Sequence, residues 1–156
     1  MAQYFVLGKQ TGVTSAYKTA AQMNATGTNK RGKVVDIMIG AASNPNATDT
    51  YVQWDVSRIT ATGAGAYTAF TPNPTDPADG AAVNVSGVNA TAEATTITAN
   101  SSIWNETVNQ RGAFRWQAVQ ESQALIWAAT AGTGLILRAQ SVTFTAEADG
   151  SVYFIE

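Results

Sequence analysis

The sequence predicts an all-β fold, a single-domain β-sandwich, jelly-roll-like, with a long proline-rich loop and an irregular N-terminal arm. Three observations carry that prediction. Short runs rich in Val, Ile, Thr and aromatic residues recur with turn signals every ten or so residues. Helical periodicity is scarce. The 156 residues are only 13% charged. Small side chains fill that deficit, about 28 Ala, about 21 Thr and 13 Gly, which points to a neutral, β-leaning surface.

In chain order, residues 1–32 form the arm plus a first strand, and residues 33–156 form the sandwich, one domain overall. Residues 4–7 read as a strand. Residues 15–24 (SAYKTAAQMN) are the only helical candidate, about two turns, and read equally well as irregular arm. Residues 33–42 (KVVDIMIGAA) are continuous enough in β-branched residues for a strand buried on both faces, and SNPN from Ser43 ends it. Residues 50–60 alternate, with Val52, Trp54 and Val56 on a core face and Gln53, Asp55 and Ser57 on a wet one.

From residue 61 to 82 the apolar period fails. Gly63, Gly65, Pro72, Pro74, Pro77 and Gly80 punctuate a long loop, with a short strand at residues 67–70. Each proline fixes φ near −65° and biases its predecessor towards extended geometry, so TPNPTDP is stiff rather than floppy. Loops of this length in compact domains are usually either functional or disordered, which makes this segment a place to look for a binding surface. Strands then follow at residues 84–89, 94–103, 112–119, 124–129, 135–139 and 141–146. Asp149-Gly150 supplies a hairpin turn into residues 152–155. The period-two positions Val52, Trp54, Val56, Phe114, Trp116, Val142, Phe144, Val152 and Phe154 point inward.

The absences are sharper than the presences. There is no cysteine and no histidine, which excludes disulfides, thiolate chemistry, Ser-His-Asp triads and histidine metal sites within this chain. Nine basic against eleven acidic residues, without a long block, argue against a nucleic-acid partner or a polybasic membrane-surface role. No run approaches about 18 apolar residues, and the first residues carry no Sec-type pattern, so the reading is a soluble chain. No cofactor motif is present: GTGLIL from Gly132 fails the dinucleotide fingerprint and no phosphate-binding loop occurs.

The chemistry that remains is thin. Asp76 and Asp79 are imaginable hard-cation ligands, but the ligand alternation of a calcium loop is missing and turn chemistry accounts for them, so no metal is expected. Two of Asp36, Asp55, Glu93, Glu106 and Glu121 could make a carboxylate pair, yet no spacing selects one. Exposed tryptophans stack on sugars; Trp54 and Trp116 belong to the core by pattern, while Trp104 and Trp127 are less clearly inward. Six N-x-[ST] matches, the first at Asn24, read as chance in a chain rich in Asn, Thr and Ser.

Two stretches carry a resemblance. SRITATGAGAYTAFTPNPTDPADGAA (residues 57–82) and NQRGAFRWQAVQESQALIWAATAGTGLILRA (residues 109–139), followed by the last strands, resemble small β-sandwich proteins that tailed bacteriophages encode beside their head genes. The similarity covers residues 50–156. It implies a jelly-roll decoration, or cement, protein, not an enzyme, on the outside of a phage capsid: a homotrimer whose other partner is the major capsid protein. The alternative is a carbohydrate- or receptor-binding β-sandwich of a phage tail, which would use Trp104 or Trp127. Under the decoration reading, the partner contacts fall in the polar N-terminal segment and the proline-rich loop: Tyr4, Tyr17, Lys30, Arg31, Lys33, Pro72, Pro74, Asp76, Pro77 and Asp79.

Overall fold

The computed structural model describes residues 1–27, 30–61, 66–94 and 96–156. Its strands, in chain order, are β1 (Gln3–Thr11), β2 (Lys18–Asn24), β3 (Gly32–Ala41), β4 (Tyr51–Ile59), β5 (Thr68–Phe70), β6 (Asn73–Pro74), β7 (Val85–Val88), β8 (Ile97–Asn109), β9 (Phe114–Gln117), β10 (Leu125–Trp127), β11 (Gly134–Gln140) and β12 (Glu147–Ile155). They form two antiparallel sheets. The first runs β10-β3-β12-β1-β6, with β9 also paired to β3; the second runs β5-β7-β2-β11-β4-β8.

The pairing is nested. β1 pairs with β12, β2 with β11, β3 with β9 and β10, and β4 with β8. Successive pairs alternate between the sheets, which is what results when one long hairpin is rolled up, the jelly-roll topology. The segment between β4 and β8 is an insertion in that plan. It adds β6 to the β1 edge of the first sheet and β7 with β5 to the β2 edge of the second.

The core lies between the sheets, filled by Trp54, Trp127, Phe144, Phe154, Ile37, Leu135 and Leu137, none more than 1% exposed. Val52, Val56 and Val152 are also buried, as period-two spacing on β4 and β12 requires. Trp127 closes one end, edge-on to Phe154 at 5.5 Å between ring centroids.

Several sequence expectations are corrected. Residues 15–24 form no helix, and no irregular arm exists among the described residues before β3. β1 and β2 are integral strands of the two sheets, and Val6, Ala20, Ala21 and Met23 are core residues. Asp149-Gly150 is not a turn. Both residues lie inside β12, with Gly150 in register with Gly8 on one side and Ile39 on the other. A Cβ on Gly150 would stand 2.6 Å from Leu137 Cδ2 and 2.9 Å from Trp54 Cζ3, so glycine is there because the indole of Trp54 packs against the bare backbone.

Residues 141–146 do not form a strand. Ser141 makes a single parallel bridge to Thr14, Val142 is 59% exposed, and Phe144 is the large side chain of the segment that reaches the core. Phe114 and Trp116 sit opposite the buried Ile39 and Ile37, but on an edge strand, so Phe114 is 37% exposed and Trp116 half-buried. The predicted wet face of β4 is also covered: Asp55 and Ser57 are 2% and 1% exposed. Gly63 and Gly65, part of the predicted long loop, lie outside the described residues.

Candidate functional site

The residues expected to touch a partner separate into three places. The proline-rich segment runs as a strap along the free edge of β1. Pro74 is in register with Tyr4 and Asn73 with Phe5, and the Thr75 amide donates to the Gln3 carbonyl at 2.8 Å. The prolines keep the strap extended while its few donors face the strand. Tyr4 is not a contact residue. It is 2% exposed, stacks on Phe154 with centroids 5.4 Å apart, and donates from its hydroxyl to the Gly80 carbonyl at 3.0 Å. Burial, then the charges of Glu156 and Asp79, push its phenol pKa up. Pro72 is likewise buried.

At the tip of the strap Asp76 and Pro77 are exposed and Asp79 half-buried. The Asp76 carboxylate accepts the Ala78 amide at 2.9 Å and its carbonyl accepts the Asp79 amide at 3.0 Å, a turn closed by its own aspartate. Among the described residues no group of three or more His, Cys, Asp or Glu side chains comes together as a metal centre.

The basic cluster divides. Lys30 Nζ lies 3.9 Å from Glu156, Lys33 pairs with Glu121, and Arg31 is exposed. The Glu156 side chain is fully covered and accepts the amides of Val83 and Asn84 at 2.6 and 3.0 Å, so it anchors the chain leaving the strap.

Tyr17 stands apart, on the outer face of the second sheet, with the Arg138 guanidinium 4.5 Å above its ring. Beneath it lies a polar network that sequence reading missed. Arg138 Nε and Nη2 donate to Asp55 Oδ2 at 3.0 and 2.7 Å, Ser57 Oγ donates to the same oxygen at 2.6 Å, and Ser102 donates to Asp55 Oδ1. Glu93 approaches Arg138 at 4.0 Å and accepts the Thr19 amide and hydroxyl. Burial raises the Glu93 pKa, opposed first by the Thr19 hydrogen bonds and then by Arg138. Asp55 uses its acceptor capacity on Arg138, Ser57 and Ser102, so this carboxylate acts as a structural tie between β4, β8 and β11.

Asp55 and Glu93 meet only across Arg138, and the other three carboxylates considered for a pair are held separately, Asp36 by Arg115, Glu121 by Lys33 and Glu106 by the Thr107 amide at 3.1 Å. Of the tryptophans, Trp127 is 1% exposed, which removes it as a sugar platform, and Trp104 is half-buried against the core.

A further candidate contact surface is the outer face of the first sheet. Leu7, Ser151 and Met38 lie side by side on β1, β12 and β3, and Leu7 and Met38 are 47% and 45% exposed. In the next row Phe5 packs on Tyr153, centroids 4.9 Å apart, beside the Asp36–Arg115 pair. Exposed apolar side chains on β1 and β3, with Ser151 of β12 between them, make this face a candidate contact surface. Its sequence signal was present in β1, where Phe5 and Leu7 are apolar on the parity opposite the buried Tyr4 and Val6.

No family model, no curated protein and no solved structure matches this chain.

Proposed function

We propose that the protein is a non-enzymatic virion component: a decoration, or cement, protein that binds the outside of a tailed-bacteriophage capsid as a homotrimer and contacts the major capsid protein. The resemblance of residues 57–82 and 109–139 to phage head-associated β-sandwich proteins motivates the reading, and the jelly-roll topology is the fold that resemblance implies. The single structural observation that supports it is the exposure of Leu7 and Met38 beside the Phe5–Tyr153 pair on the outer face of the first sheet. Exposed apolar side chains spread over a sheet face suit contact with another protein surface.

Completing the burial of half-exposed Leu7 and Met38 is worth about 1 kcal/mol each. Such contacts hold a protein firmly only when repeated over symmetric copies, which is the situation of a capsid lattice. With few charges available, attachment rests on apolar contact, so occupancy stays nearly constant between about 0.05 and 0.5 M salt.

The test is a double substitution, Leu7→Lys with Met38→Lys, added to particles stripped of the native protein. Both side chains are outside the core, so far-UV circular dichroism stays β-like while occupancy on particles falls. Unchanged occupancy would remove this face as the attachment surface, and shedding on modest added salt alone would put the attachment on charges.

A further inference from the structure

The dipeptide Asp-Gly occurs twice in this chain, at residues 79–80 and 149–150, and the fold puts the two copies in opposite surroundings. Asp-Gly is prone to isomerise because glycine has no side chain to hinder attack of its amide nitrogen on the preceding carboxyl. Gly80 lies just past the turn closed by Asp76. It is exposed, and a Cβ there would meet nothing within 4 Å. Among the described residues the Gly80 amide donates no hydrogen bond, and the half-buried Asp79 carboxylate accepts none. Both reacting groups are unengaged, in a surface strap rather than a packed strand. Asp149 and Gly150 instead lie mid-strand in β12, which is paired on both sides, with Gly150 opposite Gly8 and Ile39. Gly150 is buried against Leu137 and Trp54, so the Asp149 carboxyl cannot close onto its amide without opening that ladder.

We propose that Asp79 is a site of spontaneous isomerisation to isoaspartate, and that the fold protects Asp149 from the same reaction. The Gly80 amide nitrogen gives up its proton and attacks Asp79 Cγ. A C–N bond forms, one carboxyl oxygen leaves as water, and a five-membered succinimide results. Water then opens the ring. Where the bond between the former backbone carbonyl carbon and nitrogen breaks, Gly80 stays joined through the side-chain carbon, the released carbon becomes a carboxylate, and the mass returns to its starting value. The reaction needs no reagent but water. The new linkage lengthens the main chain by one carbon immediately before Gly80, whose carbonyl accepts the Tyr4 hydroxyl at 3.0 Å. That hydrogen bond and the Thr75 amide to the Gln3 carbonyl hold the strap on β1, so conversion loosens the strap while both sheets stay intact. The site is separate from the Leu7 and Met38 face and does not depend on the decoration reading.

The test is to hold the purified protein at physiological temperature and pH for two months and map its proteolytic peptides by chromatography with electron-transfer fragmentation, which separates isoaspartate from aspartate at equal mass. Isoaspartate accumulates at residue 79 and not at residue 149. Gly80→Ala, which the fold accommodates, slows conversion by an order of magnitude because the methyl group hinders the attacking nitrogen. In the converted fraction the Thr75 amide exchanges its hydrogen faster, while far-UV circular dichroism stays β-like. In the urea-unfolded chain both dipeptides convert alike. The proposal is overturned if residue 79 remains aspartate, if residue 149 converts as fast in the folded protein, if Gly80→Ala leaves the rate unchanged, or if the contrast between the two sites persists in urea, which would place its cause outside the fold.

Discussion

Gly150→Ala tests the packing of the sandwich at one atom. Gly150 lies mid-strand between Gly8 and Ile39, and the added methyl would arrive 2.6 Å from Leu137 Cδ2 and 2.9 and 3.1 Å from the Trp54 ring. Carbon contacts need about 3.5 Å, so the indole and Leu137 must withdraw by roughly half an ångström or more. Both are 0% exposed and enclosed, and the interior has no slack to take them. Overpacking of this kind costs about 1–3 kcal/mol, which for a domain of this size lowers Tm by about 2–12 °C. Urea unfolding followed by Trp fluorescence measures it, with Gly80→Ala as control, because a Cβ on Gly80 meets nothing within 4 Å. Leu137→Val in the same chain should recover part of the loss. If Gly150→Ala is as harmless as Gly80→Ala, Gly150 does not face the Trp54 indole, and the placement of β12 against β4 is wrong.

Other outcomes follow from the same packing. Trp127→Ala costs about 3–5 kcal/mol, whereas Trp116→Ala, half-buried on an edge strand, costs less than half as much; chemical denaturation ranks them, and equal losses contradict the edge position. Asp55→Asn removes the carboxylate that Arg138, Ser57 and Ser102 share, leaving Glu93 at 4.0 Å as the arginine's remaining counter-charge, and costs about 1–3 kcal/mol by urea unfolding; an unchanged midpoint contradicts the tie. Glu93 has a folded-state pKa above its ordinary 4.5, chiefly from burial. The folded protein therefore holds that proton more tightly than the unfolded chain, and the carboxylate's burden on stability is absent below about pH 4 and grows as pH rises through the raised pKa. Relative to Glu93→Gln, the wild type should lose stability over that window; a constant difference from pH 4 to 7 refutes the shift.

The sandwich was legible in the sequence where one face of a strand is apolar at period two, as Val52, Trp54 and Val56 on β4 and Val152 and Phe154 on β12 show. Where both faces are covered, the signal disappears. β2 is core on one face through Ala21 and Met23, and Gln22 and Asn24 on the other face are buried too, beside Tyr67 of the insertion. KTAAQMN therefore carries no alternation and reads as helix or arm. Asp55 and Ser57 look wet for the same reason, since the arginine that neutralises Asp55 lies 83 residues away on β11.

Asp149-Gly150 imitates a hairpin because turn propensity is local, while the need for glycine against Trp54 is set by a strand in the other sheet. Of the expected contact residues, Lys30, Arg31, Asp76 and Pro77 are accessible, but Tyr4 and Pro72 are inside the fold. The proline-rich segment could be read as extended, but not as paired to β1. The exposed apolar face of the first sheet was visible in part as Phe5 and Leu7; Met38 joins it only through the register of β12 with β3.

Copy number on purified virions, by quantitative mass spectrometry against the major capsid protein and by a symmetry-resolved particle map, tests the central claim most directly. A capsid decoration protein is present in hundreds of copies, as density on the outer capsid surface at symmetry-related sites, with the β1–β12–β3 face turned inward. A handful of copies confined to the tail, or none on the particle, contradicts it.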